Sequence, residues 1–222
     1  MPKPRTKHKR IIFIGDTHCG SLTGLTLPHW QYGGNDHHLL QVEMAEWLGR
    51  KLKGEKYDHC VLMGDLVDGS GVKNGAESIT TDMGIQLEMA AAVIGLIDAR
   101  EFHLIAGTPI HTITRDGVDI EAILARKIGA TFQDHLFLDV NGIVFDCKHH
   151  IGQSNVPKRS TNAMRNEILW NMIHTDSGGQ PRSSVFIRSH VHHYKFYGDS
   201  DHLAITMPCL QGGGSRYGRR FP

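Results

Sequence analysis

The sequence predicts an α/β fold built on parallel strands, and three observations carry that prediction. Short β-rich apolar runs recur through the first half, at Ile11–Gly15, His59–Met63 and Phe102–Ala106. Stretches with helical spacing of apolar residues separate them. Each run gives way to a glycine followed by, or leading into, polar residues. Strand and helix in strict alternation imply parallel pairing through right-handed crossovers.

The elements follow in order. Ile11–Gly15 is the first strand, and a long glycine-containing loop with Leu-Pro-His-Trp at its centre runs on to Asn35. Asn35 or Asp36 is placed to cap a helix whose Leu40, Met44, Trp47 and Leu48 share a face, with Gly54 as its stop. His59–Met63 is the second strand. A polar, glycine-rich loop extends to Thr80, and Met83, Leu87, Ala90, Ile94 and Ile97 then predict a helix over 81–100. Phe102–Ala106 is the third strand, and 118–128 reads as a helix ended by Gly129.

The second half changes character. Leu136–Val140 and Ile143–Lys148 flank Asn141-Gly142, a pair suited to the positive φ of a type I′ turn, so a hairpin is expected. Residues 161–174 look helical, and 184–188, 194–198 and 202–206 read as short strands. With no internal repeat and no linker, a basic tail over 1–10 and one domain of two layered halves over 11–222 are expected.

Composition narrows the class. Of 222 residues, 40% are hydrophobic and 21% charged, as in a water-soluble globular protein. No apolar run is long enough to span a bilayer, and no apolar leader opens the chain, so a cytoplasmic protein without membrane contact is expected. The four cysteines are widely spaced and form no Cys-x-x-Cys pair, which points to reduced thiols rather than a disulfide framework or zinc knot. Cys19 is expected to point away from His18. Net charge is only +1, but the ends are basic: Lys3, Arg5, Lys7, Lys9 and Arg10 at one, Arg216, Arg219 and Arg220 at the other. Such ends suit either contact with nucleic acid or plain solvation. Histidine is the outlier, with 16 residues, as many as all aromatics combined, and this favours a metal site.

Five segments concentrate the chemistry: Asp16-Thr17-His18, Gly64-Asp65-Leu66-Val67-Asp68, Gly107-Thr108-Pro109-Ile110-His111, His149-His150 and His190-Val191-His192. Each follows a strand-like run, so a single sheet would present all five at its carboxyl edge, where α/β proteins build their sites. In an extended backbone side chains two apart share a face, so Asp16 with His18, and His190 with His192, would each grip one ion. Gly64 marks the point where the chain turns away from its strand.

This order resembles the calcineurin-like metallophosphoesterases, with their Asp-x-His, Gly-Asp-x-x-Asp, Gly-Asn-His-Asp/Glu, His and Gly-His-x-His signature. The resemblance covers residues 11–195. The details Asp16-Thr17-His18-Cys19-Gly20-Ser21, Gly107-Thr108-Pro109-Ile110-His111 and Arg188-Ser189-His190-Val191-His192 look like the versions carried by phage and prophage members. The resemblance implies a four-layered α/β/β/α sandwich and two divalent metal ions. Asp16, His18 and His192 match ligands of the first ion, Asp65 the carboxylate bridging both, and His149 and His190 ligands of the second. His149 is taken over His150 because the family ligand is the first residue past the strand. Asp68 matches a supporting residue. The third motif departs from the pattern. Thr108 replaces the family asparagine and His111 is displaced, so Thr108 binds weakly, or His111 ligates, or water fills the gap.

The implied reaction is attack on a phosphate ester by a hydroxide bridging the metals, with His111 supporting the leaving oxygen. Imidazole and carboxylate ligands favour Mn²⁺, Fe, Zn²⁺ or Co²⁺, and the resemblance points to Mn²⁺. Three functions compete. A phosphodiesterase or nuclease acting on nucleic acid or nucleotides fits the phage-like motifs and basic ends. A phosphomonoesterase uses the same core chemistry, and loops 16–35 and 66–80 would decide between the two. A non-catalytic scaffold is the third, since the family includes a retromer subunit that works through protein binding.

Weaker candidates remain. Lys158, Arg159 and Arg165 either clamp substrate phosphate or are solvated beside a helix start. Arg188 either braces the site or pairs with a core carboxylate. Glu121 is explained by the dipole of its helix. Trp30, Tyr32 and Tyr217 anchor loops or stack on a base, while His29, His37, His38, His103, His135, His174, His193 and His202 read as ordinary histidines.

Overall fold

The computed structural model describes residues 8–71, 77–152 and 161–212. Strands β1 (Ile11–Ile14), β2 (Lys56–Leu62), β3 (Asp98–Ile105) and β4 (Thr131–Gln133) form one sheet in that order, every pair parallel. The second sheet contains β5 (His135–Val140), β6 (Ile143–Lys148), β7 (Val185–Arg188), β8 (Lys195–Gly198) and β9 (Leu203–Thr206). Its order is β5-β6-β7-β9-β8, parallel at its centre and antiparallel at both edges.

Three apolar clusters set the layers. Helices α1 (His38–Leu52), α2 (Met83–Ile94) and α4 (Ile120–Ile128) pack through Leu48, Leu87 and Leu124 onto one face of the first sheet. The opposite face, through Val61, Met63 and Ile105, meets Leu136, Leu138 and Ile187 of the second sheet. Beyond that, α5 (Asn162–Asp176) covers the second sheet with Met164 and Ile168 against Phe186 and Ala204. Helix, sheet, sheet, helix is the four-layered sandwich expected.

Local signals explain most boundaries. Asp82 Oδ1 accepts the Gly84 and Ile85 N–H groups at the start of α2, and Asp119 Oδ1 does the same for Glu121 and Ala122 at α4. Gly129 ends α4 in the left-handed conformation, φ 72°. Asn141 and Gly142 take φ 57° and 84° in the expected β5–β6 hairpin.

The structure corrects several readings. The five motif segments are served by two sheets, not one. Helix α2 stops at Ile94 rather than 100, because Asp98–Glu101 pair with β2 as the start of β3. The inward face of α1 is Gln41, Ala45, Leu48 and Leu52, and Trp47 is exposed. Gln41 tolerates burial because its Nε2 donates to the Leu22 carbonyl at 2.9 Å. Three short elements were not anticipated: a 3-10 turn at Pro28–Trp30, β4, and α3 (Pro109–Thr112), a single turn opened by proline. Of the basic tail, Lys9 and Arg10 belong to the fold, paired with Asp58 and Glu55. No helix among the described residues is long and apolar enough to cross a membrane.

Candidate metal centre

Five motif segments lie immediately past five parallel strand ends: β1, β2 and β3 of the first sheet, β6 and β7 of the second. They converge as three groups of ligand-type atoms, the atoms of each within 4.8 Å of one another: Asp16, His18 and His192 in the first, Asp65, His149 and His190 in the second, and His18, Asp68 and His111 in a third that shares His18 with the first.

The backbone that achieves this is not extended. Asp16, His18, Asp65, His190 and His192 all have positive φ, between 43° and 69°. Left-handed backbone costs a non-glycine residue roughly 1–2 kcal/mol, and such residues gather where function demands it. Asp16 and His18 therefore converge through two left-handed turns, not through the alternation of a strand, while His190 and His192 part, His192 joining Asp16 and His18 and His190 joining Asp65 and His149. Gly64, φ 81°, lets the chain leave β2, and its Cα region abuts Gly107, where a side chain would strike the Asp65 backbone.

In the first group His18 Nε2 is 3.3 Å from His192 Nε2, and His192 Nε2 is 3.4 Å from Asp16 Oδ1. Asp68 stands behind, its Oδ1 3.3 Å from His18 Nδ1. Asp16 Oδ2 accepts the Ser189 hydroxyl and, at 3.2 Å, the His190 N–H. Asp16 Oδ1 is buried without a well-formed hydrogen bond, which is costly unless a cation satisfies it, whereas His18 Nδ1 and Asp68 Oδ1 face each other. The donor set therefore fits a metal ion. Burial works against ionised Asp16, but the His192 hydrogen bond and nearby imidazoles hold its carboxyl below the usual range.

Around the second group, Thr108 binds Asp65 twice, through its N–H to Oδ1 at 2.6 Å and its hydroxyl to Oδ2 at 3.0 Å. The Thr108 hydroxyl oxygen is also 3.1 Å from both His149 Nε2 and His190 Nδ1. His149 Nδ1 donates to the Met63 carbonyl at 2.6 Å, which fixes the tautomer and leaves Nε2 beside Asp65 Oδ2 at 3.1 Å. His149 is buried and His150 exposed, so the first histidine of the pair is the one brought to the group. Despite its burial, the Asp65 charge raises His149 to about 9. His190 goes the other way, down to about 4, through burial beside His149. His192, buried against Asp16 and Cys209, is raised to about 10. Two buried carboxylates thus draw protons onto two imidazoles, and a bound cation would displace those protons.

The structure puts Thr108 with the second group and His111 near the first, its ring 4.8 Å from that of His18. His111 Nδ1 donates to the Asp68 carbonyl at 2.8 Å. Arg165 stacks on Tyr197, 4.7 Å from the ring centre. Lys158, Arg159, Tyr217 and the three tail arginines lie outside the described residues. Arg188 is fully buried and pairs with Asp146 at 2.8 Å and Glu167 at 2.6 Å. Trp30 packs on the core, and Tyr32 is exposed. Cys19 is buried with its sulfur toward the Leu25 carbonyl, its thiol pushed up to about 12 by burial. His135 pairs with Asp146 and His202 with Asp199.

Glu121 is the residue the sequence undervalued. It is fully buried, and its two oxygens accept the backbone N–H groups of Leu66 at 2.7 Å and Gly107 at 2.8 Å. One carboxylate thus pins the loops that carry Asp65 and Thr108. Burial and the neighbouring Asp65 charge push its pKa up to about 8.

No protein-family model matches the sequence, and comparison with curated proteins gave no match. Solved structures do match. Vacuolar protein sorting 29 from Cryptosporidium parvum is 11% identical with a TM-score of 0.50, over 94% of this chain and 78% of that one. The chain has the metallophosphoesterase fold. Zinc-complexed Vps29 from Entamoeba histolytica (12% identity, 91% and 75% coverage, TM-score 0.47) is a further match. So is a protein described as a novel archaeal phosphodiesterase (15%, 90% and 84%, 0.43). At such identities the likeness is one of fold alone.

Proposed function

We propose that the protein is a divalent-metal-dependent phosphoesterase of the calcineurin-like type, acting as a phosphodiesterase or nuclease on nucleic acid or nucleotides. The observation that supports it most is the convergence of two carboxylate–imidazole groups from five separate strand ends, the first of them holding the buried, unpartnered Asp16 Oδ1. Asp16, His18 and His192 would hold one ion, and Thr108, His149 and His190 a second, with Asp65 shared between them. Mn²⁺ is the first choice of metal, with Fe, Zn²⁺ and Co²⁺ as alternatives that suit the same ligands. Bound divalent ions supply Lewis-acid activation of water and neutralise phosphoryl charge.

The chain's own residues would do the rest. Asp68 orients His18 from behind, the Met63 carbonyl orients His149, and Glu121 holds the Asp65 and Thr108 loops in place. His111, with Nδ1 committed to the Asp68 carbonyl, offers Nε2 to the leaving oxygen. Burial and His18 lower its proton affinity, and an anionic phosphate beside it raises it again. Thr108 in place of an amide gives the second ion a weaker oxygen ligand than the family pattern.

Hydrolysis of bis-p-nitrophenyl phosphate and of the mono-ester, with and without Mn²⁺, tests the reading. Diester cleavage that requires metal and falls by more than about 100-fold in Asp65→Asn is expected. Preference for the mono-ester would favour the phosphomonoesterase. No hydrolysis of either with any transition metal would favour a scaffold.

A further inference from the structure

Well away from the motif loops, β2 and β3 carry another group of ligand-type side chains. His59 on β2 is in register with Glu101 on β3, and His103 follows two residues later on the same face. His59 Nδ1 and His103 Nε2 are 3.4 Å apart. Glu101 Oε2 is 3.3 Å from the first and 3.8 Å from the second. The imidazoles are shielded, 13% and 11% exposed, while Glu101 at 61% opens the group to water.

Two features distinguish this from an incidental cluster. An ion with tetrahedral ligands at about 2.0–2.1 Å needs ligand atoms roughly 3.3–3.4 Å apart. Two of the three separations meet that, and a small rotation of the exposed Glu101 side chain closes the third. His103 is also held from behind: its Nδ1 is 3.0 Å from Thr131 Oγ1, on β4. Such a contact directs Nε2 toward the other two side chains, as partners behind ligating histidines do. Two imidazole nitrogens facing each other need a proton or a cation between them. A proton satisfies the histidine pair but makes no use of the third, carboxylate side.

We propose that His59, Glu101 and His103 form a separate site for one transition-metal ion of the zinc type, with water completing its coordination. Mixed imidazole and carboxylate ligands suit such an ion better than Mg²⁺ or Ca²⁺. The ion would clasp the two central strands of the first sheet, three residues or about 10 Å before the end of β2 at Leu62. This site does not depend on the phosphoesterase reading.

Equilibrium dialysis of the full chain against Zn²⁺, with elemental analysis, tests it. The double variant His59→Gln/His103→Gln is expected to bind one Zn²⁺ fewer than the native chain. Glu101→Gln is expected to weaken that same equivalent at least about tenfold, and metal-dependent ester hydrolysis should stay within twofold in both. Equal zinc content and affinity in all three chains overturns the site. Circular dichroism reports folding. If the double variant does not fold, Glu101→Gln decides, because its side chain is largely solvated and its loss threatens no core. An anomalous-difference peak among the three side chains in zinc-grown crystals is the structural counterpart, and no peak there overturns the proposal.

Discussion

The two sheets bring different chemistry to one place. The strand ends of the first supply both carboxylates, Asp16 and Asp65, together with His18 and Thr108. Those of the second supply only imidazoles, His149, His190 and His192. The imidazole edge lacks an anion, and each of the two carboxylate groups at Asp16 and Asp65 is completed by histidines from the second sheet. The candidate centre is a product of sheet docking, and the apolar seam of Val61, Met63, Ile105, Leu136 and Ile187 sets its dimensions. Bracing differs too. The first sheet's loops hang on Glu121 through backbone N–H groups. The second sheet's β6 and β7 are tied by Arg188 between Asp146 and Glu167.

That contrast can be broken at either brace. The largest effect is expected from Arg188→Met, which leaves buried Asp146 with His135 but without its buried cation. Urea unfolding should show a loss of about 3–5 kcal/mol, as when one partner of a buried pair is removed. Glu121→Gln is expected to act on the other sheet more gently. Its amide nitrogen would face a backbone N–H, leaving one donor unsatisfied at a cost of about 1–3 kcal/mol. Metal affinity measured by titration should fall roughly 10–100-fold, as for other supporting residues. A stability loss without any change in metal affinity would show that Glu121 serves only the core.

The second sheet's brace also predicts a pH dependence. Burial works against ionised Asp146, but the His135 hydrogen bond and the Arg188 charge hold its carboxyl below the usual carboxylate range. A lowered folded pKa gives stability that is present above the unfolded value and lost as pH falls through the folded one. Urea midpoints should therefore decline below about pH 4, and Arg188→Met should flatten that decline. The smallest effect is expected at Thr108. Thr108→Val keeps the N–H that meets Asp65 Oδ1 and removes only the hydroxyl, so activity should drop by about tenfold or less. A larger loss would make the hydroxyl a full ligand rather than a weak one.

How much of this was legible in the sequence depended on the range of the interaction. Strand ends followed by Asp and His were readable, because a buried strand and the loop it delivers are contiguous in the chain. The α2 stripe was readable for the same reason, although its end was not, since only pairing with β2 turns Asp98–Glu101 into strand. Glu121 was misjudged because its partners lie 55 and 14 residues away, and the helix dipole already explained an acidic first turn. The only available hint was an acidic residue inside an otherwise apolar helix face. His59, Glu101 and His103 come together through strand register alone, which no local spacing announces. Trp47 was placed inward because it is large and apolar, whereas Gln41 took that face by finding a carbonyl to bond.

The left-handed turns at Asp16, His18, Asp65, His190 and His192 bear on any attempt to borrow this chemistry. Copying the same side chains onto the loops of another α/β protein would leave their Cα–Cβ vectors splayed, because those hosts relax toward ordinary dihedrals. A successful transplant has to carry whole strand–loop junctions, glycines included, so that the recipient inherits the contortion along with the ligands.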